Sequence, residues 1–184
     1  MGVKELFVAI ATLLFRNRTL WRDLKEGTPD KEFNVLREYA VPVIALVQLA
    51  KFPLIGVPQP AMFFAITNFL VDIAVLYLMT GGVVYLVARE RSESVKAMML
   101  NVVCYSMTPV WLFELFYFTG RWSWLFALTA ISYALVIGKN GLTCILDLEP
   151  AASRPVLRNT AFFVVMVSIV AFLLLNAAMR LFNF

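Results

Sequence analysis

The chain has 184 residues, of which 61% are hydrophobic and only 15% are charged, whereas soluble domains average roughly 45 to 50% apolar and about 25% charged residues. This composition excludes an ordinary soluble domain. The formal net charge is +4 and histidine is absent, so the usual general base near neutral pH and the commonest metal ligand are both missing. The basic residues cluster between apolar runs, which is typical of membrane topology, and we therefore expect no nucleic-acid partner.

Residues 1–37 form a first segment that precedes the long apolar runs. Its own apolar stretch, Leu6 to Phe15, is too short to cross a hydrocarbon core of about 30 Å, which needs about 20 helical residues. We predict an amphipathic helix here. It lies either in the cytoplasmic interface, with Trp21 near the lipid headgroups, or packed beneath the bundle.

Five longer apolar stretches follow and predict an all-α fold, a polytopic membrane bundle of five transmembrane helices in one domain, residues 38–184. The predicted spans are approximately 38–57, 61–88, 97–119, 122–146 and 157–182. Pro42 and Pro53 predict kinks in the first span. Gly81 and Gly82 permit close helix approach in the second. A polar loop is predicted at 147–155.

The third span carries the sequence Tyr-Ser-Met-Thr-Pro at positions 105–109. Pro109 removes one helix hydrogen bond, and the neighbouring hydroxyl groups can bond the carbonyl that it frees. We expect this stretch to be kinked and to form the packing centre of the bundle. Cys104 in this span and Cys144 in the fourth are interpreted as small packing residues rather than a disulfide.

The distribution of lysine and arginine predicts the orientation. With five spans, thirteen of these residues fall on the side of the N-terminus and three on the opposite side. Positive charge is retained on the cytoplasmic side. The N-terminus is therefore predicted to be cytoplasmic and the C-terminus to lie outside.

Lys51, Asp72 and Glu114 are charged residues within the predicted spans, where each costs several kcal/mol unless it is paired or hydrated. Lys51 and Asp72 are both expected a few Å to the outer side of the midplane, by the rise of about 1.5 Å per residue. Two arrangements are open: the two side chains form an ion pair, or Lys51 extends to the outer surface. Glu114 is expected as a solvated carboxylate at the outer edge. A functional interpretation adds Gln48 and Asn68 and makes the set a polar path for protons or a cation.

The sequence contains no zinc-protease motif, phosphate-binding loop or dinucleotide-binding fingerprint, and Ser106 and Ser132 have no histidine to activate them. Asp147 and Glu149 are interpreted as part of a solvated loop. We therefore expect no enzyme activity, no catalytic residues, no bound metal and no cofactor.

Several short motifs in chain order resemble the Yip domain family, five-span membrane proteins first known as interactors of Rab-type GTPases. Residues 18–21, Arg-Thr-Leu-Trp, resemble the family's amphipathic entry, and the chain has Glu-Tyr-Ala-Val-Pro at 38–42 and Tyr-Ser-x-x-Pro at 105–109. The residues that carry the resemblance within the spans are Tyr39, Pro42, Tyr105, Ser106, Pro109, Tyr133, Gly138 and Gly141.

The resemblance implies a non-catalytic membrane protein that works through helix packing, self-association and lipid contact, in membrane organisation or a trafficking-like role. The family's Asp-Leu-Tyr-Gly-Pro motif has no clear counterpart here, and the segment before the first span is short, so we do not assign a Rab-type GTPase partner. A prokaryotic member in a bacterial cytoplasmic membrane is the expected setting, as a homo-oligomer in contact with membrane lipids. The alternative is a small oligomeric transporter or channel subunit that uses Asp72, Lys51 and Glu114.

Overall fold

A computed structural model of the chain describes residues 2–26, 34–55, 58–87, 93–146 and 150–181. These ranges contain six α-helices and no β-strand, which confirms the predicted all-α bundle. The helices are α1 (Val3–Glu26), α2 (Val41–Ile55), α3 (Pro58–Val87), α4 (Glu93–Phe113), α5 (Ser123–Leu146) and α6 (Pro150–Leu181). A π-helical turn, Leu36–Ala40, precedes α2, and a 3₁₀ helix, Glu114–Trp122, joins α4 to α5.

Five stretches of these helices are long and apolar enough to cross a membrane. Their bounds are Leu36–Ile55, Ala61–Val87, Ser94–Thr119, Ser123–Leu146 and Arg154–Met179. Each lies within a few residues of its predicted span. Helices are expected at this depth because every backbone N–H and C=O in a bilayer must find its partner within the protein.

The beginning of α6 differs from the sequence prediction. Residues 150–155 were expected in a polar loop, but α6 begins at Pro150 and continues through Pro155. Pro150 is tolerated at the first helical position because the N–H groups there have no intrahelical partner, whereas Pro155 lies inside the helix and removes one hydrogen bond. The rest of that expected loop, with Asp147 and Glu149, lies outside the described residues.

The first span begins irregularly, next to a proline, as its sequence predicts. The Asn34 side chain accepts hydrogen bonds from the Leu36 and Arg37 N–H groups at 3.1 and 3.3 Å. The Val41 N–H then donates to the Leu36 carbonyl five residues earlier, which closes the π-helical turn. Pro42 has no N–H and its ring crowds the preceding turn, so a widened turn here relieves the clash.

The third span lies at the centre of the bundle, as predicted. More than half of it, 56%, is buried inside the protein, against 17 to 39% for the other four spans. The helix continues through Pro109 as far as Phe113. The prediction for the hydroxyl groups was wrong, because Ser106 donates to the Val103 carbonyl and Thr108 to that of Cys104 rather than to that of Tyr105.

The N-terminal helix α1 is longer than the predicted amphipathic stretch and packs against α4 and α5. Leu6, Leu13 and Trp21 are buried on the side that faces the bundle. Trp21 is only 1% exposed, so of the two predicted positions of this helix the structure favours packing beneath the bundle. Phe7 and Phe15 remain exposed on α1, where they form an apolar surface suited to the membrane interface.

Close packing of α3 on α6 depends on one glycine of the predicted pair. A Cβ atom on Gly82 would overlap the ring of Phe163, whereas a Cβ on Gly81 would meet no atom within 4 Å. Gly82 therefore permits the close approach that the sequence predicts, and Gly81 does not take part in it.

We predict that Gly82→Ala lowers the free energy of unfolding by about 1 to 3 kcal/mol, the usual cost of overpacking, although alanine is the better helix former. Gly81→Ala is the matched control and should be neutral or stabilising by up to about 1 kcal/mol. Thermal unfolding of the purified protein in detergent measures both. Equal behaviour of the two variants would contradict the assigned contact, and Phe163→Ala should relieve the Gly82→Ala clash.

Candidate functional site: a buried polar cluster

Five polar side chains meet in the interior between α2, α3 and the start of the 3₁₀ helix. Two lie three residues apart on α2 and two lie four residues apart on α3, so each pair shares one helix face. The set, here called the buried polar cluster, consists of Gln48, Lys51, Asn68, Asp72 and Glu114. None of the five is more than 6% exposed.

The ion pair of the cluster joins Lys51 to Glu114. Their Nζ and Oε2 atoms are 2.5 Å apart, and both side chains are 2% exposed. The predicted Lys51–Asp72 pair was therefore wrong in its partner, and Lys51 does not extend outward. Glu114 was expected as a solvated carboxylate at the outer edge, and this was wrong too, because the helix tightens at Glu114 and the side chain is enclosed.

The second carboxylate, that of Asp72, is held by amide groups. Gln48 Nε2 donates to Asp72 Oδ2 at 2.9 Å. Asn68 Nδ2 donates both to Gln48 Oε1 at 3.0 Å and to Glu114 Oε2 at 2.9 Å. Asn68 and Gln48 therefore connect the two carboxylates in one network, which includes all the residues of the polar path considered from the sequence.

The cluster is not balanced in charge or in hydrogen bonds. It contains one ammonium group and two carboxyl groups, and the carboxyl groups of Asp72 and Glu114 are linked through Gln48 and Asn68. Asn68 Oδ1 is buried and has no hydrogen-bond partner in the described part of the chain. A second positive charge, carried by a proton or a small cation, would balance this set.

Aromatic residues cover the cluster. The Lys51 ammonium group lies 5.9 Å from the centre of the Phe64 ring, within the range of a cation–π contact. Phe64 and Tyr117 belong to a small apolar core that includes residues of α5 and α6, and the Tyr117 ring packs edge-on against Phe172 at 5.2 Å. The charged groups are therefore enclosed by neighbouring side chains.

The residues that carry the Yip resemblance lie in a second region, mainly between α1, α4 and α5. The Tyr105 ring lies 4.7 Å from Tyr39 and 5.9 Å from Trp21. The hydroxyl groups of Tyr39 and Thr108 are hydrogen-bonded at 2.8 Å. Trp21 in turn lies over Gly141, where an added Cβ would be 2.9 Å from the indole ring.

Two more of these residues make contacts nearby. The Tyr133 hydroxyl donates to the Leu14 carbonyl of α1, and Gly138 lies beside the Ser106 side chain. Pro42 lies at the irregular start of the first span, and Pro109 lies on the buried face of α4. The motif residues therefore form packing contacts. In the described ranges, no group of three or more cysteine, aspartate or glutamate side chains is arranged to hold a metal ion.

No protein-family model, no curated protein and no solved structure matches the chain. The Yip resemblance thus rests on the residues named above and stays a prediction. Of the contacts described here, sequence reasoning missed those of Trp21 with Tyr105 and Gly141, which no local motif signals.

We predict that Lys51→Met lowers the free energy of unfolding by roughly 3 to 5 kcal/mol, because it leaves the Glu114 carboxylate buried without its partner. The double variant Lys51→Met with Glu114→Gln should recover most of this loss. Asp72→Asn is the control, since an asparagine oxygen can still accept the Gln48 hydrogen bond. Denaturant unfolding in detergent micelles measures all three. An unchanged stability of Lys51→Met would contradict the pair.

Proposed function

We propose that the protein is a non-catalytic integral membrane protein that organises the membrane through helix packing, self-association and lipid contact. The observation that supports this most is the enclosed state of the ionisable groups in the buried polar cluster. A catalytic site needs a group that reaches a substrate, and these side chains are committed to one another. In contrast, the outward faces of the spans are extensive and apolar.

The outward face of α6 is the best candidate for self-association. Only 17% of its span is buried inside the protein, the lowest share of the five. Large exposed apolar residues recur along it at steps of four, three and four, the spacing of a helix-packing seam. They are Phe162, Met166, Ile169 and Leu173.

We predict that a cysteine in this seam forms an intermolecular disulfide in native membranes. Leu173→Cys, 59% exposed in the wild type, is combined with Cys144→Ala, while the fully buried Cys104 is retained. After mild oxidation, a covalent dimer should account for most of the protein on a non-reducing gel, because self-association brings the two seams together.

The matched control is Leu128→Cys on α5, which replaces the same residue type at a similar exposure of 54% and should remain monomeric. Equal crosslinking of the two variants would indicate random collision. If no cysteine along the α6 seam crosslinks and the protein migrates as a monomer in native membranes, the self-association part of the proposal is wrong.

The second candidate is a small oligomeric transporter or channel subunit. Two observations favour it specifically, namely the excess carboxyl group next to Lys51 and the unbonded Asn68 Oδ1 atom. Ionisable groups at membrane depth commonly mark proton or ion pathways. The covering rings of Phe64 and Tyr117 would then have to move to admit the ion.

Flux through reconstituted vesicles separates the two candidates. We expect wild-type protein vesicles loaded with a pH-sensitive dye to hold a pH gradient as long as protein-free vesicles do. A pH- or ion-dependent leak that Asp72→Asn abolishes would instead favour the transporter. Asn101→Asp, which adds a carboxylate on α4 away from the buried polar cluster, is the control for a non-specific leak.

A further inference from the structure

A cavity of about 410 Å³ lies between α3, α4, α5 and α6, apart from the buried polar cluster. We propose that it binds one anionic phospholipid, with an acyl chain in the cavity and the phosphate at the basic residues of its rim. This inference deepens the lipid contact in the proposed function and rests on it. The apolar lining of the cavity, the positive charge at its rim and one buried hydroxyl group support this site.

The packing of the helices produces the cavity. Helix α6 packs mainly on α3, while α5 packs mainly on α4, so the seam between α5 and α6 is left partly open. Met79, Val103 and Met107 line the cavity on one side, and Ala134 and Val164 on the other. These side chains provide an apolar surface suited to a hydrocarbon chain.

Three basic side chains belong to the same lining: Lys139 on α5, and Arg154 and Arg158 on α6. Counted along the axes, they lie roughly 6 to 12 Å from the ends of α5 and α6 that the short connection joins. The charge count predicts this side to be cytoplasmic. All three are exposed, and no carboxylate in the described ranges forms an ion pair with them.

Basic pockets between transmembrane helices on the cytoplasmic side are typical binding sites for anionic lipid headgroups. Arginine suits this role because its planar guanidinium group binds phosphate oxygens through paired hydrogen bonds. A zwitterionic lipid carries its own positive charge and would gain less from the three basic side chains. The combination of apolar interior and basic rim therefore selects an anionic amphiphile.

A buried hydroxyl group in the lining gives independent support. Thr160 is only 4% exposed, and its Oγ1 atom has no hydrogen-bond partner in the described part of the protein. A buried polar group without a partner is unfavourable. Thr160 and Arg158 both line the cavity, so an ester or phosphate oxygen of a bound lipid would supply the missing bond.

The test titrates the delipidated full-length protein in detergent with phosphatidylglycerol and with phosphatidylcholine of identical acyl chains, with bound lipid counted by native mass spectrometry. We expect one phosphatidylglycerol to bind preferentially. Arg154→Gln with Arg158→Gln should weaken it at least about tenfold. Arg121→Gln, at an exposed arginine near the opposite end of the bundle, is the control and should bind as the wild type does.

Two further variants test the cavity itself. Thr160→Val keeps the shape of the side chain and should weaken phosphatidylglycerol binding by several-fold, because the hydroxyl is lost. Ala161→Phe at the partly exposed edge of the cavity should block the acyl chain and abolish the tight site. Equal affinity for the two lipids, or an unchanged affinity of the double arginine variant or of Ala161→Phe, would overturn the proposed site.

The α6 crosslinking separates this inference from the proposed function. If Leu173→Cys still forms dimers while the lipid preference is absent, the lipid site is wrong and self-association stands. If phosphatidylglycerol binds as expected but no dimer forms, the lipid site stands and self-association is wrong.

Discussion

Lys51 remains inside an apolar bundle because the Glu114 carboxylate lies 2.5 Å from its ammonium group. Burying either charge costs several kcal/mol, and the pair offsets that cost only in a favourable geometry with its remaining hydrogen bonds made. Asn68 supplies one of these bonds to Glu114. The pair therefore fixes the register of α2, α3 and the 3₁₀ helix together, since a shift of one residue in any of them would leave a buried charge without its partner.

The other half of the bundle depends on shape instead of charge. There Trp21 packs over Gly141, and Gly82 makes room for Phe163. Apolar contacts alone give little register in a membrane, because lipid is as apolar as the helix surface. A large ring against a glycine restores that specificity, since the ring fits at one position along the helix. Polar pairing in one half of the bundle and ring-to-glycine packing in the other thus define a single arrangement of the helices. The outward faces of the helices remain available for lipid and protein partners.

The sequence predicts the helices better than it predicts their contacts. The spans follow from the lengths of apolar runs, which the thickness of the bilayer determines. Residue counting also places Lys51 and Asp72 at a similar depth, but it places Glu114 nearer the outer surface. Residue counting does not give the rotation of each helix about its axis or which helices are neighbours. Lys51 was therefore paired with Asp72, the charged residue expected at a similar depth. Glu114 was missed as the partner because the change to a 3₁₀ helix, which encloses its side chain, has no signal in composition. The sequence left the N-terminal helix either at the interface or packed beneath the bundle, because the partners of Trp21 include Gly141, 120 residues further along the chain.

The 120 residues between Trp21 and Gly141 affect the order in which the helices assemble. Helix α1 is synthesised before the other five described helices, but its hydrogen bonds from Tyr133 and Asn140 come from residues 119 and 123 positions later. Its binding surface on α5 does not exist until four spans have been made. Until then its apolar face has no protein to pack against, and the membrane interface is the favourable place for it. Although α1 precedes the five spans in the chain, it is therefore among the last of the described helices to reach its final position, and its docking follows the formation of most of the bundle.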